Sequence, residues 1–208
     1  MCIRDRLQIS LQSQKEAGDL QSQNKALTEQ AFTDSLTGVA NRRRFNEFLA
    51  ENFKAARDAN VPLSILFLDT DHFKLFNDKH GHQLGDRVLV ELGALLKKSA
   101  PRTALVARYG GEEFAVVLPE ISRIAAARCA EQIRALIEAS PVENDEGEKL
   151  RVTASIGVAT LDGPFFERPE QLVKAADQGV YAAKHAGRNC VRVFTPRVAP
   201  KPQPTAAA

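Results

Sequence analysis

No stretch of this sequence approaches the roughly 20 consecutive apolar residues that a membrane-spanning helix needs, so no span is expected in it. An excess of one charge is also missing. Lys and Arg number 28 against 26 Asp and Glu, and the net charge of +2 is too small to argue for nucleic acid or an anionic membrane as a partner. Cysteine is scarce: Cys2, Cys129 and Cys190 are odd in number and far apart. That excludes a disulfide framework and fits reduced thiols in a cytoplasmic protein. Cys129 lies among helical apolar positions and reads as a small core residue. A signal-peptide pattern is lacking too, because Met1–Arg6 is followed by polar residues rather than an apolar core. These first residues carry no structural logic and are set aside from the fold reasoning. What remains, 44% hydrophobic and 26% charged over 208 residues, suits one soluble domain with extensions.

The chemistry is concentrated in one turn, Arg108-Tyr109-Gly110-Gly111-Glu112-Glu113-Phe114. Ala104–Ala107 before it and Phe114–Leu118 after it read as buried strands. Two apolar runs joined by a Gly-Gly pair predict a β-hairpin, since glycine reaches positive φ without steric cost. The hairpin needs no acids to fold, yet its tip carries Glu112 and Glu113 beside bare backbone. Glycines let a ligand approach the main chain, and carboxylates hold hard cations such as Mg²⁺. Together they point to a bound polyphosphate.

The rest of the chain frames that turn. Leu7 to about Ala31 is free of proline, with a weak heptad through Ala17, Leu20, Asn24, Leu27 and Ala31 that Gly18 interrupts. It fits either a lone solvated helix or, the favoured reading, the end of a signalling coiled coil. Thr33–Gly38 breaks it, and a second helix begins at Asn41, with Phe45, Phe48, Leu49 and Phe53 at core spacing. Leu63–Leu68 is a buried strand ending in Asp69-Thr70-Asp71. A carboxylate there is costly unless paired or metal-bound. Asp71 can N-cap a short helix over Phe73–Lys79; Asp69 has no such role, and metal ligation is the favoured reading. His80 and His82 have the spacing of zinc ligands but no matching cluster elsewhere, so His82 reads as a loop hydrogen-bonder. Gly85-Asp86 opens an amphipathic helix, where Asp86 also suits the helix dipole. A helix over Ile121–Ala139 places Ile124, Ala127, Ile133, Leu136 and Ile137 inside. A strand follows over Leu150–Thr160, then a helix with Pro169 at its first position, and a last strand Val191–Phe194. Lys184 and Arg188 near that helix's end either favour its dipole or neutralise phosphate. Thr195–Ala208 is patternless and reads as disordered.

The fold class is α+β, a central and mostly antiparallel sheet flanked by helices, because one strand pair is a tight hairpin. Side by side on neighbouring strand ends, Asp69 and Glu112 could share two divalent ions, as polymerase palms do.

Four separated blocks carry a resemblance. They are Asp34-Ser35-Leu36-Thr37-Gly38 with Asn41-Arg42-Arg43, and Leu68–Lys74 with Asn77, Gly81-His82 and Gly85-Asp86. The turn Arg108–Phe114 follows, and then Asp177, Tyr181, Ala183-Lys184 and Gly187-Arg188-Asn189. In this order and spacing they resemble the GGDEF domain of diguanylate cyclases, in its GGEEF form. The resemblance sets the catalytic domain at 34–194, after a helical segment 1–33 and before a tail 195–208. It implies a nucleotide-cyclase, palm-like fold and an enzyme that condenses two GTP into cyclic di-GMP and two pyrophosphates in second-messenger signalling. It also implies two Mg²⁺ or Mn²⁺ per active site, on Asp69, Glu112 and the Thr70 carbonyl. Asn77 and Asp86 would read guanine. Lys184, Arg188 and main-chain amides around Phe73 and Lys74 would hold phosphates, with His82 in the same substrate set. Gly110 and Gly111 would let GTP lie against the hairpin, and Glu113 would help activate the 3′-hydroxyl. A homodimer follows, with an upstream sensor or receiver domain outside this chain. The family's RxxD inhibitory motif is not matched, since its Arg and Asp positions are Pro101 and Ala104, with Arg102 one residue out of register. A non-catalytic nucleotide-binding module, a cyclase or polymerase of other specificity and a purely structural dimerisation domain are the rival readings.

Overall fold

The computed structural model describes residues 31–196. The heptad segment up to residue 30 and the tail from 197 lie outside the described residues. Asn41 caps helix α1 (Arg42–Ala59), its side chain accepting from the Arg44 amide at 3.1 Å. Then come β1 (Leu63–Thr70), α2 (Phe73–His80), α3 (His82–Ser99), β2 (Leu105–Gly110), β3 (Glu113–Pro119), α4 (Arg123–Ala139), the two-residue strands β4 (Val142–Glu143) and β5 (Lys149–Leu150), β6 (Ala154–Leu161), α5 (Pro169–His185) and β7 (Val191–Val193).

Five strands form one sheet in the order β2-β3-β1-β6-β7. All contacts are antiparallel except β6–β7, which is parallel. Central β1 is buried along its whole length, which explains its near-continuous apolar run. Its residues alternate between two cores. Leu66 and Leu68 face α3 and α4, joining Val88, Leu92, Leu96, Ala130 and Ile133. Leu63, Ile65 and Phe67 face α1 and α5, joining Phe45, Leu49, Leu172 and Val180. The result is a helix–sheet–helix sandwich with the β2–β3 turn at one end. The segment before α1 covers the outer edge of β2: Ala40 N–H donates to Val106 O and Arg108 N–H to Ala40 O, which leaves that edge less open to mispairing.

Several expectations are corrected. Asp71 does not cap α2; the cap position is His72, in the left-handed region at φ 57°, without a side-chain hydrogen bond. Helix α3 begins at His82 rather than Gly85, so Asp86 lies beyond the first turn. In α4, Ile124 and Leu136 are exposed, and the buried stripe runs through Ala126, Ala130, Ile133 and Ile137. The strand expected over Leu150–Thr160 is two strands, β5 and β6, with residues 151–153 between them.

Helix α5 lies closer to the sheet than side chains normally permit. A Cβ on Gly157 of β6 would meet the Ala176 carbonyl oxygen at 1.9 Å, and one on Gly179 of α5 would meet Gly157 Cα at 2.7 Å. Gly157→Ala should therefore destabilise the domain by about 1–3 kcal/mol or more. Gly163→Ala, where nothing among the described residues lies within 4 Å, should stay within about 0.5 kcal/mol of the parent. Urea unfolding of both variants beside the parent checks the contrast.

Candidate active site

The β1–β3 register sets Asp69 directly across from Glu113, and the short turn brings Glu112 alongside. The turn is tied to the strand end, because the Thr70 N–H and hydroxyl both donate to the Glu112 carbonyl at 3.3 Å. Its other side is held by Arg108, whose Nε donates to Gly111 O at 2.9 Å while its Nη1 pairs with Asp34 at 3.3 Å. Asp69, 7% exposed, meets the Lys184 ammonium of α5 at 2.6 Å.

Burial raises the Asp69 pKa, opposed by Lys184 and reinforced by the Glu112 and Asp71 charges. Glu113 is raised as well, by burial first and then by Asp69, Asp177 and Glu112. Like charges so gathered favour a bound cation, and Lys184 supplies one. Among the described residues, no three His, Cys, Asp or Glu side chains form a ready-made metal cluster. The Asp69 and Glu112 carboxylates, with main-chain and solute oxygens, are a hard donor set of the kind that suits Mg²⁺ or Mn²⁺. Glu113 and Asp177 also line a cleft between α1 and α5 floored by Leu49, Phe67 and Tyr109.

The other candidate residues surround this cluster on separate elements. Phe73 is buried in the core, whereas Lys74 on α2 and His82 and Asp86 on α3 are exposed. Asn77 and α3 meet closely: the Asn77 Oδ1 is buried without a hydrogen-bond partner among the described residues, and a Cβ on Gly85 would sit 1.8 Å from it. Gly110 closes β2, Gly111 is exposed in the turn, and Arg188 is exposed just past α5 with φ 65°. The structure thus brings Asp69, Thr70, Glu112, Glu113 and Lys184 together, and Asn77 with Gly85. The Lys184–Asp69 contact and the approach of Asp177 were not anticipated from sequence. The one available signal was Asp177 and Lys184 seven residues apart on a helix, hence on one face.

Residues 31–190 match the family model described as "Diguanylate cyclase, GGDEF domain". The chain belongs to the GGDEF family. Among curated relatives, the response regulator PleD of Caulobacter vibrioides is 44% identical over 164 residues, covering 78% of this chain and 36% of PleD. The diguanylate cyclase DgcP of Pseudomonas aeruginosa is 39% identical over 165 residues, covering 79% and 24%. The chain spans less than half the length of these relatives. Among solved structures, the coiled coil and GGDEF domain of DgcB from Caulobacter crescentus, in complex with c-di-GMP, has a TM-score of 0.83 at 31% identity, covering 93% of this chain and all of that one. The active GGEEF domain of a diguanylate cyclase from Vibrio cholerae has a TM-score of 0.70 at 32% identity, covering 75% and 97%. No helix among the described residues of this GGDEF domain is long and apolar enough to cross a membrane.

The raised Glu113 pKa predicts a pH-dependent penalty. Folded, Glu113 keeps its proton to a higher pH than unfolded, so its stabilising share is complete below the unfolded value and lost as pH rises through the folded one. Glu113→Gln removes that loss. Without divalent ions, the variant should melt above the parent at neutral pH, with the gain shrinking as pH falls and gone below about pH 4. A variant that melts below the parent at neutral pH contradicts this electrostatic reading.

Proposed function

We propose that this GGDEF domain condenses two GTP molecules into cyclic di-GMP with release of two pyrophosphates. The observation that carries the reading is the cluster of Asp69, Glu112 and Glu113 at a glycine turn, with the Lys184 ammonium drawn onto Asp69. Asp69 and Glu112, with the Thr70 carbonyl, would hold two Mg²⁺ or Mn²⁺. Bound there, such ions neutralise triphosphate charge and favour an ionised attacking hydroxyl. Lys184 then turns from Asp69 toward phosphate, joined by Arg188, the exposed Lys74 and main-chain amides around Phe73. Gly110 and Gly111 leave the turn open to the nucleotide.

Base selection lies between α2 and α3. The Asp86 carboxylate accepts from guanine N1–H and N2–H₂. The Asn77 amide donates to O6 or N3, and its unpaired Oδ1 offers an acceptor for a base amino group. Adenine lacks the N1–H and N2–H₂ donors, so ATP would leave the Asp86 carboxylate without those partners. His82 borders the same side.

In each half-reaction a bond forms between a 3′-oxygen and the other nucleotide's α-phosphorus. The bond from that phosphorus to the pyrophosphate oxygen breaks, and the 3′-hydroxyl proton departs. Glu113, with its raised proton affinity, is suited to receive that proton. The product is two-fold symmetric and each chain carries one set of site residues, so two copies must face each other. A homodimer driven by an upstream sensor or receiver segment follows from the same reading.

Purified protein given GTP and Mg²⁺ should yield cyclic di-GMP by chromatography, and Glu112→Ala should lose at least about 10³-fold in rate. Equal product from both would overturn the assignment. Gly85→Ala, whose Cβ would displace the Asn77 amide, should weaken GTP binding about tenfold or more, measured calorimetrically, while the domain remains folded. With Pro101 and Ala104 at the RxxD positions, product inhibition through that site should be weak or absent. Inhibition at low micromolar cyclic di-GMP, abolished by Arg102→Ala, would contradict this.

A further inference from the structure

Asp71 lies two residues past the proposed metal ligand Asp69 and is 6% exposed, yet it neither caps α2 nor joins the acid cluster through a hydrogen bond. Its carboxylate is filled by three donors from distant chain. Ser155 Oγ donates to Oδ1 at 2.6 Å, while Thr153 Oγ1 at 2.7 Å and the Asn189 main-chain N–H at 2.9 Å donate to Oδ2. Its own N–H donates to Thr153 O at 2.8 Å.

The Asn189 bond is the informative one. Gly187, Arg188 and Asn189 have φ of 103°, 65° and 44°. Two consecutive non-glycine residues in the left-handed region are strained, and such a turn persists only where its surroundings over-determine it. Here they do. The Arg188 N–H donates to Ala183 O at 3.0 Å. The Asn189 side chain donates to Glu138 Oε1 and accepts from Arg134 Nη1, each at 2.8 Å. Asp71 closes the fourth side. Arg188, between the fixed amides, stays exposed one turn beyond Lys184, which touches Asp69.

We propose that Asp71 is a positioning residue that clamps the strained Arg188–Asn189 turn and so aims the Arg188 guanidinium at the nucleotide's phosphates. This rests on the reading of the site as GTP-binding. Asp71 acts through Asn189 and Arg188 and touches neither substrate nor metal. The clamp joins the strand end that presents Asp69 to the turn that presents Arg188, which fixes carboxylate and guanidinium in one frame.

The test is a double-mutant cycle between Asp71→Asn and Arg188→Ala in the full chain, read as KM and kcat for GTP and as calorimetric GTP affinity, with amide exchange at Asn189 followed in parallel. Asp71→Asn should raise KM and Kd for GTP about tenfold with kcat within about threefold, and should speed exchange at Asn189. In the Arg188→Ala background the same substitution should add less than about twofold. Thr153→Val, which removes one of the three donors without touching the turn, should shift KM in the same direction by a smaller factor and guards against a misfolded Asp71→Asn. A full tenfold effect of Asp71→Asn persisting without Arg188, or a loss confined to kcat, overturns the clamp. If the parent binds no GTP, the functional reading fails and takes the clamp's purpose with it. If the parent binds GTP and Asn189 exchange is unchanged in Asp71→Asn, only the clamp fails.

Discussion

The contact that the site depends on is the backbone-to-backbone approach of α5 to β6 at Gly157 and Gly179. A methyl group at either position would overlap main-chain atoms. Side chains on both faces ordinarily hold a helix off a sheet; two facing glycines let this one come closer. Lys184 lies five residues beyond Gly179 on the same helix, and it reaches Asp69 because the helix is seated so deeply. A shallower helix would leave a buried carboxylate facing two neighbouring glutamates without a counter-charge.

The chain accepts that electrostatic cost at one end of an otherwise apolar sheet. β1 carries Ile65, Leu66, Phe67 and Leu68 through two cores and then delivers Asp69 at its last turn of alternation. Burial and mutual repulsion hold Asp69 and Glu113 above the usual carboxylate range. A domain selected for stability alone would place apolar residues there, since buried ion pairs seldom outperform them. Carboxylates held in this way suit cation-dependent chemistry, and the glycine turn beside them leaves room for a ligand's phosphates.

Much of this was legible in the sequence because it rests on local rules. The apolar runs on either side of Gly110-Gly111 marked the hairpin, although neither glycine takes the positive φ expected of it; an acid ending a buried strand singled out Asp69, and Pro169 marked a helix start. What was not legible depends on residues far apart in the chain. Asp71 looks like a helix cap until Thr153, Ser155 and Asn189 arrive from 82 to 118 residues away. Helix α3 starts three residues earlier than expected because Gly81, at φ 85°, turns the chain so sharply that His82 can begin the next helix. Ile124 and Leu136 fit a helical stripe as well as Ala126 and Ala130 do. The sheet nevertheless selects the small residues, whose size admits closer packing, and leaves the larger ones in water.

The proposed site needs the acids at the hairpin tip to hold divalent metal against a guanine nucleotide's triphosphate. An anomalous difference map from crystals grown with Mn²⁺ and a non-hydrolysable GTP analogue tests it most directly. The expected result is Mn²⁺ peaks within coordination distance of the Asp69 and Glu112 carboxylates, with the base between α2 and α3 and the phosphates toward Lys184 and Arg188. Mn²⁺ bound elsewhere, or a nucleotide seated in the cleft between α1 and α5, would contradict it.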